Sequence, residues 1–405
     1  MTAVVGIFLL PLVAWLLSSN RQAINWRTVL WAFALQSGIG GVVLFTPWGY
    51  ALLSAASEYV AVLLSYSRAG IEFLFGGLGR ADSSVGFVFA FNVLPVVIFF
   101  SSLIAVLYHL GVMQWVIRII GGSLRRLLHT SHAESLSAAA NVFIGQTEAP
   151  LVARPYIPAM TKSELFAVMV GGMASIAGSV MAGYVALGIP LEYLLAASFM
   201  AAPGGLLMAK IMEPETATPA EPTHGESLSS EKYVNVIDAA ASGAVSGLQM
   251  SVAIAASLLA FVALIALANG ILAWAGSLFG MGDLSFQMIL GDLFRPLAWA
   301  LGVPWEEAEL AGSLIGQKLI LNEFVAYVAY VDIADQFSPL SQAVVIFALC
   351  GFANLSSIAI LLGGLGSVAP GRRDDISRAG FRALIAATLS NLMSAALAGF
   401  FLSLA

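Results

Sequence analysis

The run Asn141-Val-Phe-Ile-Gly-Gln146-Thr147-Glu148-Ala-Pro150 sets two amides, a hydroxyl and a carboxylate in ten residues and closes them with proline. A second run, Gly316-Gln317…Leu321-Asn322-Glu323-Phe324, repeats the order Gly-Gln and then Glu. Two apolar stretches are interrupted by further oxygen-bearing residues: Ala174-Ser175-Ile176-Ala177-Gly178-Ser179, and Ala353-Asn354-Leu355-Ser356-Ser357-Ile358. Reaction chemistry is poorly served. The four histidines (His109, His129, His132, His224) lack HExxH spacing, and there is no GxSxG or Walker loop. The single Cys350 excludes an internal disulfide and a Cys-rich metal site. The residues offer recognition rather than bond-breaking, so the chain is read as a non-enzyme with no catalytic residue.

The carboxylates of Glu148 and Glu323 favour neutral or cationic hydrogen-bond donors and would repel an anion. Gln146, Thr147, Asn354 and Ser357 mix donors with acceptors, which suits a polar, uncharged ligand rich in hydroxyls or a heterocycle. Carbonyls freed where a helix unwinds suit Na+, and Asn141 and Ser175 can add side-chain oxygens beside the carbonyls of Ile144 and Ile176. One charge moving inward across about 100 mV yields about 2.3 kcal/mol. At about 1.4 kcal/mol per factor of ten, that supports roughly 50-fold accumulation of a ligand. Taken singly, Ser179 and Ser356 are expected only to bond a backbone carbonyl or a neighbouring helix, contributing about 0.6 kcal/mol. The two glutamates are not dismissed this way, because acids inside a membrane are costly and usually functional.

The elements that hold these residues follow from composition. Of 405 residues, 60% are hydrophobic and 10% charged, against about 25% charged in a soluble domain; mean hydropathy is +0.92. Apolar runs of about 20 residues cross roughly 30 Å of hydrocarbon, and they lack the alternation of barrel strands. The expected fold is an all-α polytopic membrane protein. Eight spans are predicted at about 2–18, 27–46, 86–112, 165–188, 191–211, 244–275, 340–364 and 379–404. Residues 48–77 are expected to form a helix in the membrane interface. The N-terminal run has no basic leader or cleavage site and is read as a retained span.

Regions 135–158 and 286–330 are too polar to cross and too apolar to be loops, so each is read as a re-entrant hairpin of two short helices. In each half the order hairpin, broken span, span recurs, and counting crossings makes the two hairpins enter from opposite sides. That is an inverted repeat, as in secondary transporters that bind substrate near the midplane. Basic residues Arg21 and Arg27, Arg118, Arg125 and Arg126, and Arg372, Arg373 and Arg378 then fall on one side, the cytoplasm, with both termini outside. The polar segment 213–232 is a cytoplasmic linker.

Three landmarks resemble the concentrative nucleoside transporters: Gly145-Gln-Thr-Glu-Ala-Pro150, the run from Pro296-Leu-Ala-Trp299 through Lys318-Leu to Leu321-Asn-Glu-Phe-Val-Ala-Tyr327, and Gly351-Phe-Ala-Asn354…Ser357. The resemblance covers nearly the whole chain. It implies a homotrimer of eight-span protomers in the plasma (inner) membrane, each with a transport domain sliding elevator-fashion against a scaffold. The implied division is 1–112 scaffold with the interfacial helix, 113–212 first transport repeat, 213–243 linker and amphipathic segment, 244–284 scaffold, and 285–405 second transport repeat. Gln146, Thr147 and Glu148 would read the nucleobase with Val180 packed on it. Glu323, Asn354 and Ser357 would hold the ribose hydroxyls beside Phe352. Na+ would sit at Asn141, Ser175 and the carbonyls of Ile144 and Ile176. The implied partners are nucleosides such as uridine, membrane lipid and further copies of the chain, with no nucleic acid. Proton-linked relatives look like they carry Gly-Gln-Ser-Glu-Asn where this chain has Gly145-Gln-Thr-Glu-Ala149, so it follows the sodium-type pattern. Two alternatives stay open: a proton-coupled nucleoside symporter using Glu148 or Glu323, and a nucleoside-binding channel or receptor.

Overall fold

The computed structural model describes residues 2–80, 85–146, 149–154, 156–219 and 233–404. Among the described residues all regular structure is helical. The chain opens with α1 (Ala3–Leu16), α2 (Trp26–Phe45), α3 (Pro47–Ser65) and α4 (Ser67–Phe75). Asn25 caps α2 by accepting from the amides of Arg27 and Thr28. Pro47 takes the first position of α3, where a missing N–H leaves nothing unpaired. Gly49 permits this abrupt turn, because a side chain there would run into the Val42 carbonyl.

A one-turn α5 (Phe89–Asn92) leads into α6 (Leu94–His109) and α7 (Val112–Leu128). The basic segment expected as a loop after the third span is thus largely helical. Met113, Ile117, Gly121, Leu124 and Leu128 recur at three- and four-residue spacing and are buried, while Arg118, Arg125 and Arg126 face outward.

The first repeat comprises α8 (His132–Ala140), α9 (Ala149–Val152), α10 (Lys162–Ala174), α11 (Gly178–Ala186) and α12 (Leu191–Met212). Capping boxes at Ser131/Glu134 and Thr161/Glu164 start α8 and α10. A 42-residue helix, α13 (Val236–Ser277), joins it to the second half. There follow α14 (Phe286–Ala300), α15 (Ala308–Ile320), α16 (Glu323–Ile333), α17 (Pro339–Leu349), α18 (Leu355–Val368) and α19 (Arg373–Leu402).

Both broken spans are present. The first opens at residues 175–177, within the predicted break. The second opens at 350–354, earlier than predicted, because Asn354 caps α18 instead of lying mid-break. Region 286–330 differs from expectation in holding three helices rather than two. Pro296 is accommodated inside α14, which packs along α15. The second hairpin is therefore α15 and α16, meeting at Leu321 and Asn322.

Among the described residues six helices are long and apolar enough to cross a membrane, counting α10 with α11; α1, α17 and α18 are shorter apolar helices. The core lies where α12 and α19 meet each other, α10 and α17. Outside it α1 and α2 pack on α12 and α19, whereas α6 packs chiefly on α13. The outward residues of α13, such as Val252, Leu259, Val262 and Trp274, are apolar, as lipid-facing residues must be.

The three basic segments gather at one end of the bundle. Arg382, on α19 beyond Arg372, Arg373 and Arg378, donates to the carbonyls of Leu17 and Met212 and pairs with Glu213 at 2.7 Å. Arg372 donates to the Met160 carbonyl at 2.7 Å. The Thr28 hydroxyl donates to the Leu128 carbonyl, joining α2 to α7.

Candidate substrate and cation site

The tip of the first hairpin begins where α8 ends. Asn141 is 1% exposed, yet neither its Nδ2 nor its Oδ1 has a hydrogen-bond partner. Buried amides are nearly always paired, so this one is set for something else. The tip is fastened from two sides: Ser198 of α12 donates to the Val142 carbonyl at 2.8 Å, and the Gly178 amide donates to the Phe143 carbonyl at 2.9 Å. The second bond brings the α10/α11 break against the tip. Asn141, Ile144, Ser175 and Ile176 are all buried in these two non-helical stretches. Amide, hydroxyl and carbonyl oxygens without a carboxylate suit a singly charged hard cation such as Na+.

The same tip reaches the other repeat. Gln146 donates through Nε2 to the Ser357 hydroxyl at 3.2 Å, and its Oε1 is buried without a partner. Ser357 donates to the Phe352 carbonyl and lies 3.2 Å from Asn354 Oδ1. Asn354 divides its work. Its Oδ1 accepts from the Ser357 amide and so caps α18, while its Nδ2 donates to Glu323 Oε2 at 3.0 Å. The chain Gln146–Ser357–Asn354–Glu323 thus crosses from one hairpin tip to the other.

Glu323 is the first residue of α16, capped by Asn322, and is buried. A carboxylate at a helix N-terminus is favoured by the unpaired amides there. Its Oε1 accepts from the Tyr184 hydroxyl at 3.0 Å. Tyr184 is fully buried on α11 and packs on Phe324 and Tyr327 at ring-centroid distances of 4.7 and 4.5 Å. Val180 is buried one turn earlier on α11, and Phe352 is half-buried in the α17/α18 break. The Phe352 amide donates to the Ser175 carbonyl at 3.0 Å, tying the two breaks together.

The structure thus unites Gln146, Glu323, Asn354 and Ser357 in one network and buries Asn141, Ile144, Ser175 and Ile176 in the adjoining tip and break. Thr147 and Glu148 lie outside the described residues. Gln317 does not act as the counterpart of Gln146: it lies inside α15 and bonds Ser313 of its own helix. Ser179 contacts Met250 of α13, and Ser356 bonds Asn354 Oδ1. Sequence reasoning missed Tyr184, whose hydroxyl, buried in an apolar run, signals a need for a partner. It also passed over Lys318, buried on α15 and bonded to Asn391 of α19. A separate cavity of about 610 Å³ between α3, α4, α6 and α11 is lined in part by Arg68, Glu72 and Asn92 and holds none of the predicted site residues.

A tip bearing Gln146, a tip bearing Glu323 and two helix breaks, joined among helices long and apolar enough to cross a membrane, fit a membrane carrier for a polar solute. The chain belongs to the Na+-dependent nucleoside transporter family. The family's N-terminal region matches residues 5–78, its nucleoside-recognition gate region residues 90–191, and its C-terminal region residues 193–399. Among relatives, the nucleoside permease NupC of Helicobacter pylori is 49% identical over 411 residues, covering 99% of this chain and 98% of the permease. The transporter CNTnw in an inward-facing, substrate-bound state superposes with a TM-score of 0.96 at 56% identity, over 100% of this chain and 98% of the other. A variant of CNTnw in an outward-facing state gives a TM-score of 0.97 at 55% identity, over 100% and 99% of the two chains. These relatives are permeases and transporters, not enzymes, and Na+ is the cation of the family.

Proposed function

We propose that this protein is a symporter that couples inward Na+ flux to nucleoside uptake by alternating access. The observation that carries this is the network from Gln146 to Glu323, at a tip whose Asn141 amide is buried without a partner. Glu323, Asn354 and Ser357 bind the ribose. Each carboxylate oxygen of Glu323 already accepts one bond and has capacity for another, so two vicinal hydroxyls can be received without displacing Tyr184 or Asn354. Gln146, with Thr147 and Glu148, reads the base edge, and Val180 and Phe352 supply apolar contact.

Coupling follows from sequence adjacency. Asn141 and Ile144 belong to the hairpin tip, Ser175 and Ile176 to the broken span, and a Na+ held by all four fixes the tip that carries Gln146. Ion and nucleoside then raise each other's affinity by the same factor. Inverted repeats of hairpin, broken span and span move as a body against a scaffold in an elevator stroke, within an eight-span protomer of a homotrimer in the inner membrane. The basic end faces the cytoplasm and both termini face out. The division at 113–212 and 285–405 gives the moving body. The packing of α1 and α2 on α12 and α19 supports drawing them toward that body, leaving α6 and α13 as the core of the scaffold.

The test is radiolabelled uridine uptake into proteoliposomes with and without an inward Na+ gradient. Stimulation by Na+ is expected. Equal uptake in both conditions removes the sodium claim, no uptake removes the substrate claim, and uptake driven by a pH gradient without Na+ transfers the coupling to a proton on Glu323 or Glu148. Flux without saturation would instead point to a channel.

A further inference from the structure

The cavity of about 610 Å³ between α3, α4, α6 and α11 lies outside the network that joins the two hairpin tips. Its volume falls within the roughly 300–1,000 Å³ of ligand pockets. The floor is apolar: Leu64, Ile71, Val96 and Ala182 are buried and form a hydrophobic cluster of their own, apart from the main core. The mouth is charged, because Arg68 and Glu72 line the cavity and are exposed. The two stand at i and i+4 on α4, hence on one helix face. Opposite charges at that spacing attract each other. Yet among the described residues neither side chain forms an ion pair or a hydrogen bond.

The surroundings set the depth of the mouth. Tyr59 on α3, Tyr66 at the joint between α3 and α4, and Phe73 on α4 are all exposed. Amphipathic rings of this kind gather at headgroup level in a bilayer. An apolar floor beneath a charged mouth at that level matches an amphiphile, with its hydrocarbon inside and its head at the rim. The charges then specify the head. Arg68 presents a planar fork of N–H donors that fits phosphate oxygens, and the Glu72 carboxylate accepts from a primary ammonium. Asn92, which also lines the cavity, spends its Nδ2 on the Val88 carbonyl at 2.9 Å and keeps its Oδ1 as a further acceptor. A purely anionic head would be opposed by Glu72 and a purely cationic one by Arg68. A head that carries phosphate and ammonium together is opposed by neither.

We infer that this cavity is a binding site for a phospholipid whose head is zwitterionic and ends in a primary amine, with phosphate on Arg68, ammonium on Glu72 and the start of an acyl chain over Leu64, Ile71 and Val96. The site touches α11 from behind. Tyr184 leaves one side of that helix to reach Glu323, whereas Ala182 and Ala186 lie on the opposite side and line the cavity. The lipid therefore packs between α3, α4 and α6 and the back of the helix that holds Tyr184.

The test is thermal unfolding of the delipidated, full-length protein in detergent, titrated separately with phosphatidylethanolamine, phosphatidylcholine and phosphatidylglycerol of the same acyl chains. Phosphatidylethanolamine is expected to raise the melting temperature at the lowest concentration, since the quaternary amine of phosphatidylcholine has no N–H to donate and phosphatidylglycerol has no amine. Glu72→Gln should raise the half-effective phosphatidylethanolamine concentration roughly tenfold, the scale of one charge-assisted bond, and leave phosphatidylcholine unchanged. Arg68→Gln should weaken both lipids, and Glu58→Gln, outside the cavity lining, neither. Equal responses to phosphatidylethanolamine and phosphatidylcholine overturn the proposal, as does a preference for phosphatidylglycerol or a Glu72→Gln variant that keeps the wild-type preference. A wild type that responds to no lipid, as when another copy of the chain covers the mouth, overturns it too. Should the variants fail to fold, native mass spectrometry of the wild type in an equimolar mixture of the three lipids decides: retention of phosphatidylethanolamine above the others supports the site, and equal retention overturns it.

Discussion

Replacing Glu323 by glutamine keeps the shape of the side chain and removes its charge and half its accepting capacity. Today Oε1 takes a bond from Tyr184 and Oε2 one from Asn354, each at 3.0 Å. A glutamine amide can accept from only one of those two donors, so the other faces an NH2 group and loses its partner. The ribose loses a charged acceptor at the same time. A hydrogen bond to a charged group contributes about 1.5–3 kcal/mol, and at about 1.4 kcal/mol per tenfold the uridine dissociation constant should rise roughly 10- to 150-fold. Titration calorimetry at saturating Na+ would compare uridine with 2′,3′-dideoxyuridine on both proteins. In the wild type uridine should bind far more tightly; in Glu323→Gln the two ligands should converge, because the acceptor that distinguished them is gone. If both ligands weaken by the same factor, Glu323 does not read the ribose and the substrate's orientation in the site is wrong.

Asn141→Ala should raise the Na+ concentration for half-maximal uptake by tenfold or more, on the order of one lost ion-ligand bond, with uridine affinity recovered at high Na+; an unchanged Na+ curve would move the ion elsewhere. Tyr184→Phe should lower the melting temperature, through loss of a bond worth about 1.5–3 kcal/mol to a buried carboxylate, while weakening uridine less than Glu323→Gln does. Lys210→Met leaves the Glu134 carboxylate buried without its cation, a loss of about 3–5 kcal/mol. Thermal unfolding in detergent should show it, and the double variant with Glu134→Gln should recover part of the loss.

The order of elements was readable because polar residues inside apolar runs are expensive and must be explained. Asn141, Ser175, Asn354 and Glu323 all stood out for that reason; the structure bonds Asn354 to Glu323 and leaves the Asn141 amide buried without a partner. Where the reading went astray, local signals competed with packing. Residues 286–330 were read as two short helices, yet α14 runs on through Pro296 and packs along α15 as a third. The arginines after α6 suggested a loop, but apolar residues at helical spacing between them bury one face of α7. Asn354 looked like part of a break and is the cap that ends it. Tyr184 is written in an apolar run like any core aromatic, and nothing in its neighbours announces Glu323, which lies 139 positions along the chain. Lys318 drew no notice inside its run, and its amide partner comes from a helix 73 positions away. Contacts between distant elements leave little trace in local pattern.

The length of α13 has a bearing on travel. Forty-two residues at about 1.5 Å each make a rod of about 63 Å, roughly twice the hydrocarbon thickness, and its outward face is greasy almost from end to end. Such a rod can stay in oil only by leaning far from the bilayer normal. A leaning rod of this length offers apolar contact over the same depth as an upright one of ordinary length, spread along a longer lateral path. A body that slid along it in the elevator stroke proposed above would be carried sideways as well as across.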